Sequence, residues 1–338
     1  MNTPENAPRP DLRTVAAAIA ARVETAMRGD LATALAGCDP LLVEVLHYAL
    51  FNGGKRIRPL LTVLCSRCCG RDDDDLSLLA AAFEYLHVAT LVHDDVIDRA
   101  AQRRGKETVA ARYGLAAAIL AGDWLHARSM HLIGRLTGAG GLEIFCQATA
   151  SMVNGEFEQL RAIGDVTTQE HHYFQVIRQK TGNLIATTCA LGALYAGADS
   201  LQQQALATYG DHIGAAFQVV DDLLDFQGAT ENTGKQVGND FVEGKITLPL
   251  LHTLARASAE DRQTIEALLR GDRTQAEACQ QLVTLIGRYD GFTSAADAAR
   301  RLVDTAIAAL APFAAADGSE DTIALLHDLA RYILARNK

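Results

Sequence analysis

Apolar residues recur every three or four positions along nearly the whole chain, and strict apolar–polar alternation is almost absent. This spacing is typical of amphipathic helices rather than strands. The segment CDPLLVEVLHYALFNGG predicts a helix with Asp39 as its N-cap, Pro40 in its first turn and Gly53 as its stop. Pro59 is expected to open the next helix, through LLTVLCSRCC. The pattern predicts an all-α protein.

A long apolar stretch follows the acidic run RDDDD, and Asp75 is expected to cap a helix over 76–98. Thr167 and Glu170 match a capping box at the start of a later helix. Further helices are predicted over 114–137, 141–163, 168–197, 199–228, 245–256, 259–270, 274–288, 293–313 and 320–336. Loops are short and no Pro/Gly/Ser-rich linker divides the chain, which predicts one domain over 1–338.

The opening MNTPENAPRPDLRT has neither the apolar core of a signal peptide nor an Arg/Ser-rich amphipathic character. It is expected to be a frayed tail, with residues 1–10 flexible. No apolar run approaches the roughly 20 residues of a membrane helix, so no transmembrane segment is expected. The net charge of −10 argues against nucleic acid as the main partner, because binding a phosphate backbone needs a basic face.

The chain has seven cysteines, an odd number, and most lie in an apolar helical context. This indicates reduced thiols in a cytoplasmic protein. The segment CSRCC contains a C-x-x-C pair, but no second Cys/His pair stands at the spacing of a zinc finger. Buried thiols that act as small apolar side chains are the favoured interpretation, with zinc as the alternative.

One acidic motif occurs twice, as LVHDDVIDR at 91–99 and as QVVDDLLDF at 218–226. On a helix, Asp94 and Asp98 share one face, and so do Asp221 and Asp225. Two such faces brought together would form a cup of carboxylates, which favours Mg²⁺ over Zn²⁺. An EF-hand lacks support because its spacing and central glycine are missing. A di-iron bundle lacks support because no inward-facing Glu-x-x-His pairs are found.

Cations flank both acidic motifs: Lys55, Arg56, Arg58, Arg103, Arg104, Lys106, Lys180, Lys235 and Lys245. Basic side chains beside a metal-loaded cup are what a polyanion bridged by Mg²⁺ needs. The alternative is that these cations only pair with the aspartates, which leaves their number and their glycine-rich loops unexplained. The chemistry favours a diphosphate at the rim, with an apolar tail among the helices.

The sequence resembles the all-trans polyprenyl diphosphate synthases, most closely the long-chain bacterial octaprenyl type, from about residue 40 to the C-terminus. The resemblance rests on GGKRIRP, DDVID followed by RRG, the KT pair at 180–181, FQVVDDLLD and the loop GKQVGNDFVEGK, all in family order. It implies an isoprenoid synthase fold, a bundle of roughly a dozen helices around a deep central cavity. It also implies a homodimer and a prenyltransferase that joins isopentenyl diphosphate to an allylic diphosphate.

The resemblance further assigns roles residue by residue. It implies on the order of two or three Mg²⁺ ions, held by Asp94, Asp98 and Asp221, with Asp95, Asp222 and Asp225 in support. Residues implied for the allylic diphosphate are Arg103, Lys180, Thr181, Gln218, Lys235 and, more weakly, Lys245. Those implied for isopentenyl diphosphate are Lys55, Arg58, His87 and Arg104. The catalytic set is Asp94, Asp98, Arg103, Lys180 and Asp221.

In this family, metal-assisted ionisation leaves a carbocation, and residues before the first motif act as a floor that limits tail length. The implied floor here is Ala89 and Thr90, which are small, with Tyr85 and Leu86 a turn deeper. At about 1.5 Å per residue, an open column of several turns predicts a product of about forty carbons, for quinone side chains. A medium-chain product of about twenty to thirty-five carbons stays open on the same argument.

Two rival functions are weighed against this expectation. A class I terpene cyclase or head-to-head synthase is disfavoured, because cyclases lack the acceptor motif GGKRIRP, which is present here. A non-catalytic subunit of a heteromeric synthase is disfavoured, because both acidic motifs are intact. Transient membrane contact for product release stays open.

Overall fold

The structure, a computed structural model, describes residues 11–227, 238–313 and 319–336. Its helices are α1 (Leu12–Ala34), α2 (Pro40–Leu50), α3 (Ile57–Cys68), α4 (Asp74–Ile97), α5 (Val109–Tyr113), α6 (Leu115–Arg161), α7 (Glu170–Ile177), α8 (Asn183–Tyr195), α9 (Ser200–Gln227), α10 (Asn239–Glu243), α11 (Leu248–Arg256), α12 (Ala259–Arg270), α13 (Ala276–Arg288), α14 (Gly291–Ala309) and α15 (Glu320–Ala335). Within the described ranges, the only strands are two of two residues each. The all-α prediction is confirmed.

Helix starts follow the expected chemistry in some places and differ in others. Asp39 accepts from the backbone N–H of Leu41 at 2.8 Å and caps α2, as predicted. The cap of α4 is Asp73 rather than Asp75, because Asp73 accepts from Leu76 N at 3.0 Å. The predicted capping box does not form, since Thr167 donates to Asp165 and no side chain caps α7.

The N-terminal expectation was partly wrong. Asp11 accepts a hydrogen bond from Thr14 N at 3.2 Å and caps α1, so DLRT belongs to a helix rather than to a tail. This helix was missed by the sequence reading. Residues 1–10 lie outside the described part of the chain.

A small antiparallel hairpin follows α4. Gln102 pairs with Glu107 and Arg103 with Lys106, and the turn residues Arg104 and Gly105 both have positive φ, 53° and 74°. A two-residue turn of this kind matches the twist of a hairpin. Strands this short leave no alternating pattern, which is why the sequence did not predict them.

The described residues form two compact units. The first contains the chain up to Phe145 with Thr188–Leu206 and Leu310–Leu329, and the second contains Cys146–Thr187, Ala207–Ala309 and the chain from Ala330 onward. Helix α6 contributes to both units and is broken at Gly138, whose φ of 72° and ψ of −171° are not helical. This break matches the two separate helices predicted there. The single-domain expectation stays a prediction.

In the first unit, α1 and α3 pack against α4. By length and apolarity alone α4 could cross a membrane, contrary to the expectation that no such run exists. However, 72% of its apolar window is buried within the protein, as in the core helix of a globular domain. Each fully buried Leu or Phe here contributes about 1.5–3 kcal/mol to folding.

In the second unit, α11 packs against α14, α13 and α7. The predicted helix 168–197 is interrupted by one wider π-helical turn, Arg178–Gly182, between α7 and α8. Such turns are frequent at functional sites, and this one carries the KT pair of the sequence motif.

Candidate active site

The first acidic motif lies at the C-terminal end of α4. The backbone N–H of Asp98 donates to the carbonyl of Asp94 at 2.8 Å, so the two residues stand one turn apart. Asp98 is exposed and Asp94 half-buried, whereas Asp95 is only 5% exposed. The guanidinium of Arg103, from the hairpin, donates to Asp95 Oδ1 at 2.7 Å. Asp95 is therefore held by a cation inside the protein.

A cluster of arginines surrounds His87 in the same unit. Within the described residues, neither His87 Nδ1 nor Arg58 Nε, both buried, has a hydrogen-bond partner. Burial lowers the pKa of His87 well below its usual value, and the positive charges of Arg58, Arg104, Arg103 and Arg56 lower it further. Cations that meet around unsatisfied polar atoms form an environment suited to an anion.

The cations of the loop GGKRIRP differ in their environments. Arg56 has a left-handed φ of 49° and is buried, where it forms an ion pair with Glu84 and donates to the carbonyl of Leu50 at 2.6 Å. It is a structural cation. Gly54 has a φ of +144°, and a Cβ there would lie 3.3 Å from Arg104 Nη1, so the glycine lets the two segments approach. Lys55 is exposed.

The residues expected to limit product length lie on α4, before the first motif. Ala89 and Leu86 are each 2% exposed, and Thr90 is half-buried, with its hydroxyl donating to the carbonyl of His87 at 2.8 Å. Tyr85 is fully buried, and its hydroxyl contacts Asp30 Oδ2 at 3.1 Å. Since this hydroxyl is engaged in a hydrogen bond, Tyr85 is fixed in place. Their role as a floor stays a prediction.

The second acidic motif lies near the end of α9 and has different partners. Asp222 is 4% exposed. Its Oδ2 accepts from the hydroxyl of Tyr173 at 2.6 Å, and its Oδ1 accepts from Nε2 of Gln218 at 2.9 Å. Burial raises the pKa of Asp222 well above its usual range, and the charge of Asp240 raises it further.

The other two acids of this motif contact different parts of the second unit. Asp221 forms an ion pair with Arg336, Nη2 to Oδ1, at 2.9 Å, and the Arg336 guanidinium lies 4.2 Å from the ring centre of Phe217. Asp225 accepts from the backbone N–H of Asp240 at 2.9 Å and so supports the start of α10. Asp225 is a supporting acid in this arrangement.

The π-helical turn presents Lys180 and Thr181. Lys180 Nζ lies 2.5 Å from Gln159 Oε1 and 2.5 Å from Glu156 Oε2, and Thr181 donates to Gln218 Oε1 at 3.3 Å. A Cβ on Gly155 would lie only 2.7 Å from Gln179 Cβ and 3.1 Å from Lys180 N. A glycine on α6 therefore allows this close approach.

A cavity of about 110 Å³ lies beside these residues in the second unit. Among its lining side chains are Lys180, Gln218, Asp222, Tyr173 and Lys245. The ammonium group of Lys245 contacts Asp240 at 3.3 Å and Glu243 at 2.5 Å, and these acids raise its pKa against the opposing effect of burial. The remaining candidate of the set, Lys235, lies outside the described residues.

The family assignment follows from comparison with known proteins. The family model described as polyprenyl synthetase matches residues 39–286. The chain belongs to this family. The matched segment contains both acidic motifs, the loop GGKRIRP and the π-helical turn.

Similar proteins cover nearly the same length. An octaprenyl diphosphate synthase of Haemophilus influenzae is 36% identical over 272 residues, which are 80% of this chain and 82% of the relative. A decaprenyl diphosphate synthase structure from Rhodobacter capsulatus has a TM-score of 0.87 at 34% identity, covering 97% of this chain and 98% of its own. A polyprenyl synthase from Caulobacter crescentus, complexed with calcium and isoprenyl diphosphate, has a TM-score of 0.86 at 36% identity, covering 98% and 100%.

Polyprenyl synthetase membership raises the question of metal ions. Within the described ranges, no three His, Cys, Asp or Glu side chains form a group that could hold a metal. Asp94 and Asp98 nevertheless offer carboxylate oxygens one helical turn apart, at least partly accessible. Such donors fit Mg²⁺, which keeps several waters and binds through one or two carboxylates plus substrate phosphates.

No cysteine belongs to a group of three or more possible metal ligands among the described residues. All seven are free thiols. Burial raises the pKa of Cys68 to about 12 and that of Cys69 to about 11, which keeps both protonated at neutral pH. Because a zinc ligand must be a thiolate, these side chains fit the favoured interpretation as apolar packing groups.

The sequence reading missed several residues of this site. Tyr173, Gln159 and Glu156 contact predicted residues directly, and Arg336 binds one acid of the second motif. Tyr173 carried one available signal, since it lies seven residues, about two turns, before Lys180. The others carry no motif of their own and become visible only through their contacts.

Proposed function

We propose that this chain is a long-chain all-trans polyprenyl diphosphate synthase, which condenses isopentenyl diphosphate head-to-tail with an allylic diphosphate. The observation that carries the proposal is the arginine cluster around His87, with its unsatisfied polar atoms, in the same unit as the acidic end of α4. The names of similar proteins, octaprenyl and decaprenyl diphosphate synthase, support the same reaction.

Isopentenyl diphosphate is proposed to bind at the arginine cluster. Arg58 supplies a guanidinium whose buried Nε has no partner among the described residues. Arg104 lies close to Gly54 of the GGKRIRP loop, and Lys55 lies exposed on that loop. His87 stays neutral because its pKa is lowered, so it can donate one N–H without adding charge.

The allylic diphosphate is proposed to contact Arg103 in the first unit and Lys180, Thr181 and Gln218 in the second. The structure supports the last three as a group, because the π-helical turn and the Thr181–Gln218 hydrogen bond hold them together. Lys245 belongs to the same cavity. Lys235 stays a sequence-based proposal.

Mg²⁺ is proposed as the metal, bound by Asp94 and Asp98 in the first unit and by Asp221 in the second. When bound, it supplies Lewis-acid neutralisation of the diphosphate. The structure of the Caulobacter crescentus polyprenyl synthase, complexed with calcium and isoprenyl diphosphate, supports the proposal of a divalent ion. Asp95 and Asp225 are proposed as supporting acids; Arg103 holds the first, and the second accepts from the backbone N–H of Asp240.

The proposed reaction breaks the allylic C–O bond, forms a C–C bond to isopentenyl diphosphate and releases one proton. Arg103 and Lys180 stabilise the negative charge that develops on the departing diphosphate, which is the proposed acceptor of that proton. The carbocation must be kept from water, since water would convert it to an alcohol. Val88, Ala89 and Val92, all buried on α4 before the motif, supply apolar surface for that purpose.

The product is proposed to be about forty carbons long, from the small residues before the first motif and their rise of about 1.5 Å each. A quinone side chain is the proposed use. Cytoplasmic location is proposed from the seven free thiols, and a homodimer from the family resemblance. A medium-chain product stays the alternative.

The experiment is incubation of the purified chain alone with isopentenyl diphosphate, farnesyl diphosphate and Mg²⁺, followed by chromatographic sizing of the products. A ladder ending in one long polyprenyl diphosphate is expected. A cyclic or head-to-head hydrocarbon would identify the first rival. An inert chain that becomes active only with a second subunit would identify the other, and either outcome overturns the proposal.

A further inference from the structure

We infer that Tyr173 is a positioning residue, which sets the orientation of the Gln218 side-chain amide through the Asp222 carboxylate. The inference deepens the proposed function, because Gln218 and Thr181 are the groups that Tyr173 would position for the allylic diphosphate. It assigns a role to a tyrosine outside both acidic motifs. It also makes Asp222 a structural acceptor rather than a metal ligand.

The four side chains form one continuous chain of hydrogen bonds in the second unit. Tyr173 donates to Asp222 at 2.6 Å, Gln218 donates to Asp222 at 2.9 Å, and Thr181 donates to Gln218 at 3.3 Å. Tyr173 is 6% exposed and Asp222 is 4% exposed. Partners that are so enclosed have few alternatives, so each bond restricts the next.

The chemistry of the donors fixes the direction of the chain. An amide has a donating NH₂ end and an accepting oxygen end, and both oxygens of Asp222 accept here, one from Tyr173 and one from Gln218. Asp222 therefore selects the NH₂ end of Gln218, and the amide oxygen faces Thr181. With Tyr173 on one carboxylate oxygen and Gln218 on the other, Asp222 cannot turn without losing a bond.

The position of Tyr173 also links two helices that carry the site. Tyr173 lies on α7, which leads directly into the π-helical turn with Lys180 and Thr181, while Asp222 and Gln218 lie on α9. Tyr173, Asp222 and Gln218 line the same 110 Å³ cavity as Lys180. The Tyr173 hydroxyl thus sets the spacing between the π-helical turn and α9, which together present the Gln218 amide.

The test compares Tyr173→Phe with Tyr195→Phe. Tyr195 is the matched control, because its phenol also binds one carboxylate, Asp73 Oδ1 at 2.5 Å, and it is equally enclosed in the first unit. For Tyr173→Phe we expect kcat/KM for farnesyl diphosphate to fall about tenfold, with KM for isopentenyl diphosphate unchanged. Tyr195→Phe should leave both constants near the wild-type values.

A double-mutant cycle with Gln218→Ala separates positioning from a general structural effect. If Tyr173 acts through Gln218, adding Tyr173→Phe to Gln218→Ala should change kcat/KM for the allylic substrate less than twofold. Losses that multiply, or a Tyr173→Phe enzyme that behaves like Tyr195→Phe, would overturn the inference. If Tyr173→Phe alone does not fold, the cycle is run with Tyr173→Leu, which also removes the hydroxyl donor and is read the same way. A wild-type chain without activity would instead overturn the proposed function.

Discussion

The two acidic motifs share the pattern Asp-Asp-x-x-Asp but hold their second aspartate in different ways. Asp95 is 5% exposed and is paired with the Arg103 guanidinium at 2.7 Å. Asp222 is 4% exposed, and it accepts hydrogen bonds from the neutral groups of Tyr173 and Gln218. These two bonds lower the pKa of Asp222 but do not overcome the burial and the charge of Asp240 that raise it. A repeated motif therefore does not imply a repeated environment.

The difference extends to the outer acids. In the first motif, Asp98 ends α4 and is exposed. In the second, Asp221 is 37% exposed and paired with Arg336, and Asp225 supports α10. The first motif thus presents its carboxylates at a helix end, while the second is integrated with the surrounding chain. Five predictions test this contrast.

The largest effect is expected where the two motifs should behave alike. Asp94→Ala and Asp221→Ala should each lower turnover by about 10³-fold, because losing a metal ligand removes about 4 kcal/mol of charge stabilisation. Turnover at saturating substrate and Mg²⁺ is the measurement, with circular dichroism to confirm folding. Asp297→Ala, a surface acid on α14, is the control and should retain full turnover. Near-normal turnover by either motif variant would show that its metal assignment is wrong.

The helices that carry the motifs should differ in their control of product length. The fourth residue before Asp94 is Thr90, small and half-buried, whereas the fourth before Asp221 is Phe217, already large and stacked by Arg336. Thr90→Tyr should shorten the product by several isoprene units, because the ring would occupy about one helical turn of the column. Product sizing is the measurement. Ala89→Tyr, at a 2% exposed position, is the more severe version, and unchanged lengths for both would remove the floor argument.

The central aspartates should differ in the sign of a stability change. Asp95→Asn leaves Arg103 without its carboxylate and should lower the free energy of unfolding by about 1–3 kcal/mol. Asp222→Asn replaces an acid whose burial favours its neutral form, so it should be neutral or stabilising at pH 8. Urea unfolding at that pH measures both. Equal destabilisation by the two variants would contradict the contrast.

The pH dependence follows from the same raised pKa of Asp222. Its carboxyl is uncharged more readily in the folded than in the unfolded chain, so its contribution to stability is fully present below about pH 4. That contribution is lost as the pH rises toward about 8, the value to which burial raises the pKa of Asp222. The stability of the wild type relative to Asp222→Asn should therefore fall across this window. A stability difference between wild type and Asp222→Asn that does not change with pH would contradict this prediction.

Much of the fold followed from local signals in the sequence. The predicted range 259–270 agrees with α12, and Asp39 caps α2 as expected, because these features depend on neighbouring residues. The hairpin after α4 was missed because two-residue strands have no period. The cap of α4 was misplaced among consecutive aspartates, where only the observed Asp73–Leu76 bond distinguishes them.

The site was predictable to a different degree. Motif letters identified Asp94, Arg103 and Lys180 as candidates. The motifs could not identify the groups that surround each aspartate and affect its protonation. Tyr173, for example, lies 49 residues from Asp222 in the chain. The environment of each aspartate depends on such long-range contacts, and a shared Asp-Asp-x-x-Asp pattern does not indicate which aspartate has a cationic partner.

The smallest effect concerns Arg336, which forms an ion pair with Asp221 at 2.9 Å. Arg336→Ala should strengthen divalent-metal binding by about two- to fivefold, because metal and guanidinium compete for one carboxylate in a pair worth about 0.2–1 kcal/mol. Titration with Mn²⁺, read by electron paramagnetic resonance, measures this without turnover. Arg331→Ala is the matched control, since it removes an exposed cation from α15 with the same change in net charge. Equal affinities for the two variants would mean that Arg336 does not restrain Asp221.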